Sequence, residues 1–171
     1  MTDLVTEFDR PAVVPETTMN ILALDLGTNC GWALSRGGVL TYGTKNFTAK
    51  KGDGPGQRWL KFRATLANLY NASGELHAIY YEDVKNHAGT QAAHAYGAFE
   101  SQLQVFCDVN RVRLVGVGVG SIKKAWCGRG NAKKEEMVAE ARRRKFKVAH
   151  DEDDTADALA ILHLALEMEA R

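Results

Sequence analysis

Hydrophobic positions follow two rhythms along this chain, and the switches between them mark its elements. Ile21 to Leu26 is an apolar run too short for a helix core and aliphatic enough for a strand buried on both faces. A single carboxylate, Asp25, sits inside it. Gly27 and Gly31 predict a tight turn, after which Trp32–Leu34 and Val39–Phe47 read as two further strands joined at Ser35-Arg36-Gly37-Gly38. Lys50 to Gly56 is a loop containing Gly and Lys. Trp59, Phe62, Leu66, Leu69 and Tyr70 then recur at helical spacing over 57–71, a stripe expected to pack on the core. Leu76 to Tyr81 returns to a β-prone apolar run with Glu82 at its end, followed by the polar loop Lys85 to Gly89.

The second half alternates helix and strand. Thr90 to Cys107 predicts a long helix rich in small residues (Ala92, Ala93, Ala95, Gly97, Ala98, Ser101), suited either to a two-fold dimer contact or to packing on the sheet. Arg113 to Val119 is a fifth strand, Ser121 to Trp126 a short helix, and Ala132 to Lys145 a helix whose basic C-terminal half suits the helix dipole. A last helix over 155–170 follows the acidic cluster Asp151-Glu152-Asp153-Asp154. Three strands, helix, strand, helix, strand, helices: this order predicts an α/β fold on a mixed five-stranded sheet, an antiparallel three-strand meander continued by parallel strands and flanked by helices.

Composition changes this picture little. At 171 residues, 45% hydrophobic and 25% charged, the chain has the makeup of one soluble globular domain. Residues 1–18 carry Asp3, Glu7, Asp9 and Glu16 without an apolar core; they read as a flexible extension, not a signal peptide, ahead of a domain at 19–171, with Met19 an alternative start. No stretch approaches the roughly 18 apolar residues of a membrane span. Cys30, Cys107 and Cys127 lack CxxC spacing, which argues against a disulfide framework or zinc site and for a reducing, cytoplasmic setting.

Charge distribution says more than the net charge of +1. Lys123 to Lys147 holds ten Lys/Arg against three Glu, and His150 to Arg171 seven acids against one Arg. The pattern fits a polyanion-binding surface beside a cation site, or two solvated helix faces of opposite sign. If the first and fourth strands are parallel neighbours, Asp25 and Glu82 emerge near one sheet edge, where ligand sites of open α/β sheets form. Asp154 and Asp157, at i and i+3, share a helix face. Carboxylates crowded in a dry pocket cannot all stay ionised unless cations sit between them. An oxygen-only donor set points to Mg2+, with Mn2+ able to substitute, and two such ions suit phosphodiester hydrolysis. Helix capping accounts for one or two acids of the 151–154 cluster, but not for Asp157 beside an apolar run.

Four blocks carry a resemblance. Leu24-Asp25-Leu26-Gly27-Thr28-Asn29-Cys30-Gly31-Trp32-Ala33, then Glu82 after an apolar strand, then Ile122-Lys123-Lys124 with Gly128-Arg129-Gly130-Asn131-Ala132-Lys133-Lys134, then Asp154-Thr155-Ala156-Asp157-Ala158-Leu159-Ala160 resemble the RuvC-type Holliday-junction resolvases of the RNase H-like superfamily. The resemblance runs from about residue 21 to the C-terminus; a compact chain with a loose N-terminus would suit a viral member of the family, and the implied setting is a bacterial or infected-cell cytoplasm. The first block alone is weak, since sugar kinases, actin-like ATPases and pre-ribosomal-RNA nucleases share it; the order of four is not.

It implies metal binding by Asp25, Glu82, Asp154 and Asp157, with Asp153 the rival for Asp154, and electrostatic roles at the scissile strand for Lys123 and Lys134. Around them Lys124, Arg129, Lys133, Arg142 and Arg143 are the candidate DNA contacts, and His150 is open to a functional contact. The family's bacterial members carry a stacking aromatic shortly after the second acid; Lys85, Asn86 and His87 stand there instead, candidate contacts without an equivalent ring.

The expected activity is a homodimeric, Mg2+-dependent endonuclease that resolves four-way DNA junctions by paired symmetric nicks, leaving 5′-phosphate and 3′-hydroxyl ends. The alternatives are a general debranching nuclease, a nuclease on pre-ribosomal RNA, and a junction-binding module that does not cut.

Overall fold

A computed structural model of the chain describes residues 7–9 and 17–170. The elements, in order, are strands β1 (Glu7–Asp9), β2 (Ile21–Asp25), β3 (Asn29–Arg36) and β4 (Val39–Asn46), helix α1 (Gln57–Ser73), strand β5 (Ala78–Glu82), helix α2 (Thr90–Asn110) and strand β6 (Arg113–Val117). Helices α3 (Val119–Cys127), α4 (Lys134–Arg143) and α5 (Asp153–Glu169) complete the chain. The sheet order is β1-β4-β3-β2-β5-β6. The antiparallel meander β2-β3-β4 and the parallel strands β5 and β6 are the five strands the sequence pattern predicts. The sixth, Glu7–Asp9, lies antiparallel on the outer edge of β4 and falls within the stretch expected to be a loose extension. The rest of that stretch, up to residue 16, lies outside the described residues.

Side-chain alternation on the strands divides the core in two. Ile21, Ala23, Ala33, Ala78 and Tyr80 point to one face and pack with α3, α4 and α5. Leu22, Leu24, Leu34, Ile79 and Tyr81 point to the other and pack with α1 and α2. By the same alternation Asp25 and Glu82 continue the α5 face. That face is closed by the apolar run Ala158 to Leu162, every residue of which is buried.

Two local expectations are corrected. Asp25 is the last residue of β2, not mid-strand, so its carboxylate stands at the open end of the sheet. Gly31 lies inside β3, paired with Asp25 and with Thr44, and not in a turn. The cause is α5: a Cβ on Gly31 would stand 1.9 Å from the carbonyl oxygen of Asp154. Only a glycine lets the helix come down on the strand there.

A candidate nuclease site at the open end of the sheet

The parallel register of β2 and β5 places Leu24 beside Tyr81, so the next residues, Asp25 and Glu82, leave the sheet at one level and on one face. Helix α5 begins over this point. Its first turn is tied to the sheet by a 2.8 Å hydrogen bond between the hydroxyls of Thr155 and Thr44, while Gly31 opens the space beneath Asp154. Asp154 and Asp157 therefore face Asp25. Below Glu82, the Tyr96 hydroxyl of α2 donates to its carbonyl oxygen at 2.8 Å and accepts from the Val84 amide at 3.1 Å, fixing the chain where it leaves β5.

Electrostatics register the crowding. Burial, then the charges of Asp157, Glu82 and Asp154, raise the Asp25 carboxyl well above the usual carboxylate range. Asp157 is pushed up to about 7, chiefly by burial and then by Glu82 and Asp153. Burial also raises Glu82, against the opposing charge of Lys123, and raises Asp154, which Lys134 partly relieves. Four carboxylates thus share two ammonium groups, an arrangement short of positive charge. A hollow of about 150 Å3 lies among them, lined by Glu82, Asp157, Lys123 and Lys134 with Val119, Ile122 and Met137.

Oxygen-only donors short of countercharge suit hard divalent cations. As the side chains stand, no three His, Cys, Asp or Glu among the described residues gather closely enough to hold a metal ion.

Lys134 opens α4 and donates to Asp153 Oδ2 at 2.5 Å, and this bond is the main reason its ammonium is held above its ordinary pKa. Asp153 thus engages the lysine, whereas Asp154 faces Asp25. Of the helix-capping alternative, Glu152 ahead of α5 makes no side-chain cap, while Asp153 and Asp154 do stand in the helix's first turn, where the dipole favours acids. The Glu152 carboxylate accepts from the Ala149 amide at 2.8 Å instead.

Of the candidate DNA contacts, Lys124 and Lys133 are exposed. Arg129 is paired with Glu136, and Arg143 makes two bonds to Glu140 at 2.6 and 2.7 Å. Arg142 lies against the His150 ring, beside a hollow of about 490 Å3 that also involves Glu135, Val138 and Ala139 and holds none of the four acids. Lys85 is paired with Asp83 at 2.5 Å, Asn86 is exposed, and the His87 ring rests 4.8 Å from that of Tyr96. Four contributors escaped the sequence reading: Gly31, Tyr96 and the Thr44–Thr155 pair. Tyr96, the first aromatic among the small residues of α2, was the one visible signal.

The same arrangement of strands and helices occurs in solved structures. The chain superposes on Thermus thermophilus RuvC in complex with a Holliday junction substrate with a TM-score of 0.73 at 21% identity, covering 88% of this chain and 95% of that one. The fold is that of the RuvC resolvases. A second Thermus thermophilus RuvC structure gives a TM-score of 0.70 at 21% identity, over 88% of this chain and 95% of that one. The yeast mitochondrial Holliday junction resolvase gives 0.64 at 18% identity, over 92% of this chain and 82% of that one. No family model and no curated protein matches the sequence. Among the described residues no helix is long and apolar enough to cross a membrane.

Proposed function

We propose that the protein is a divalent-metal-dependent endonuclease acting on branched DNA, with the four-way junction as its substrate. One observation carries the reading: Asp25, Glu82, Asp154 and Asp157 converge at the open end of a sheet whose fold is that of known junction resolvases. In this reading the four carboxylates hold Mg2+, or Mn2+ in its place, with two ions per site. Ions bound there would activate a water and stabilise the leaving oxygen.

The protein's own groups supply the rest. Lys123, beside Glu82, and Lys134, held by Asp153, stand where a phosphate entering the hollow would meet positive charge, and both would support negative charge developing on it. Asp25, half-buried at the end of β2, is crowded by the other three acids. The Tyr96 hydroxyl holds Glu82 through its backbone.

A homodimer suits this chemistry, since two sites related by a two-fold axis would nick opposing strands of a symmetric junction. Helix α2 packs on the sheet through Tyr96, Phe99, Leu103 and Cys107 and leaves Ala92, Ala93, Ser101, Val105 and Val109 exposed, which supports it as the contact. Val109 is 75% exposed.

The test is cleavage of a synthetic four-way junction against linear duplex, with Mg2+ or Mn2+, by the wild type and Asp157→Asn. Paired nicks leaving 5′-phosphate and 3′-hydroxyl ends, lost in the variant while binding persists, are expected. Equal cutting of forks and flaps would make it a general debranching nuclease. No cleavage of any branched DNA would overturn the reading in favour of a binding module or an RNA nuclease.

A further inference from the structure

DNA brought to four carboxylates is repelled unless cations flank the site and hold its backbone on either side. On the α4 side much of the basic charge is already spent within the protein: Arg129 on Glu136, Arg143 and Arg144 on Glu140, Lys134 on Asp153. The other side of the open end differs. From residue 45 to 61 the chain carries Lys45, Lys50, Lys51, Arg58 and Lys61 against the single acid Asp53. Asp53 pairs with Lys61 at 2.8 Å, and no carboxylate pairs with Lys50, Lys51 or Arg58 among the described residues.

This segment adjoins the site. The Phe47 amide donates to the carbonyl oxygen of Thr28, three residues beyond Asp25, at 2.7 Å. Arg58, in the first turn of α1, donates from Nη2 to the Thr28 hydroxyl at 2.7 Å. Its guanidinium lies 4.7 Å from the Trp59 ring centre and 5.4 Å from that of Phe99. Its Nε is buried with no hydrogen-bond partner. A guanidinium stacked and tethered in this way loses little further freedom on meeting a phosphate. The loop ahead of it is also ordered, because Asp53 Oδ2 accepts from both the Lys50 amide and the Lys61 ammonium, leaving the Lys50 and Lys51 side chains exposed.

We propose that the segment from Lys50 to Arg58 is a second phosphate-backbone grip, which holds a DNA arm on the α1 side of the carboxylate site with Arg58 as its fixed point. The proposal rests on the branched-DNA reading above. It assigns Lys50, Lys51 and Arg58, which no carboxylate pairs among the described residues, to DNA contact and reduces the share of Arg129 and Arg143, which are neutralised within the protein.

The experiment is four-way-junction binding by fluorescence anisotropy without divalent metal over a salt series, together with cleavage kinetics in Mg2+. The proteins are the wild type, Lys50→Ala/Lys51→Ala, Arg58→Lys, and a control of equal charge change elsewhere, Arg63→Ala/Arg111→Ala. Each lost backbone contact lowers the slope of log affinity against log salt by about 0.9. The Lys50/Lys51 double variant should therefore lose about 2 from the slope, bind several-fold more weakly and raise KM with kcat unchanged, while the control keeps the wild-type slope. Arg58→Lys retains charge but not the fork, and should weaken binding without changing the slope; its melting temperature separates that from misfolding. A Lys50/Lys51 variant with wild-type slope and KM, or a control that loses as much, would overturn the proposal and leave the nuclease reading intact. A wild type that binds no branched DNA would overturn both.

Discussion

Asp25 and Asp157 are the residues on which the site's electrostatics turn. A carboxyl raised in the folded protein is protonated there from its ordinary value, about 4, up to its folded value, which for Asp157 is about 7. Unfolding releases that proton across this window, so metal-free stability falls as pH rises through it and levels off above. Asp25, raised by burial and then by three acidic neighbours, contributes to the fall in the same direction. Asp53, Glu140 and Glu169 are shifted the other way by hydrogen bonds from Lys61, from Arg143 and Arg144, and from Tyr80 and Arg113 respectively, and their stabilisation is lost only as pH drops below the ordinary carboxylate range. Thermal denaturation in chelator should therefore give a higher Tm near pH 5 than near pH 8, and Asp157→Asn should flatten that difference. Divalent cation should restore Tm at the alkaline end and have little effect at the acid end. A Tm constant across this range would show the carboxylates to be less crowded than their placement indicates.

Elements bring these residues together, and two contacts decide how. Gly31 admits the start of α5, and a Cβ there has nowhere to go because its obstacle is the backbone of Asp154. Gly31→Ala should lower stability by about 1–3 kcal/mol in urea denaturation and also reduce cleavage, by lifting Asp154 and Asp157 from Asp25. Gly27→Ala, whose Cβ would meet only the Asn29 carbonyl oxygen at 3.4 Å, should do neither. The second contact joins α3 to α4. The Arg144 side chain is 8% exposed, lies 4.2 Å from the Trp126 ring centre, and bonds Glu140 and the Trp126 carbonyl oxygen. Arg144→Ala leaves Glu140 without its buried partner and should cost about 3 kcal/mol. Arg143→Ala, on the same carboxylate but exposed, should leave the urea midpoint nearly unchanged. Neighbours in the basic run 142–145 thus have separate tasks, which charge counting could not distinguish.

At the scale of the whole molecule the proposed pairing of two copies has one candidate surface. Val105 and Val109 are 53% and 75% exposed on α2, on the far side of that helix from its sheet-packing residues. If this face pairs two copies, Val105→Arg/Val109→Arg should yield a monomer by sedimentation. That monomer should still nick junctions singly, without paired cuts, because the carboxylates lie on the opposite face of the sheet. A variant that stays dimeric would place the contact elsewhere.

Much was legible in the chain itself. The strand order of the meander, the helices and the chemistry of the acids follow from local apolar periods and from carboxylates placed at the ends of apolar runs, both properties of neighbouring residues. Asp25, Glu82 and Asp157 could be singled out because each interrupts or ends an apolar run, whereas Asp154 was preferred to its neighbour Asp153 only through the resemblance. Tertiary structure alone decided three things. It set β2 beside β5, so that two acids separated by 56 residues of chain leave the sheet at one level. It placed Gly31 under α5 and Thr44 against Thr155, contacts with no local signature. It distributed the basic residues between internal ion pairs and open surface, because pairing depends on which carboxylate lies within reach, and distance through space is what a linear sequence does not record.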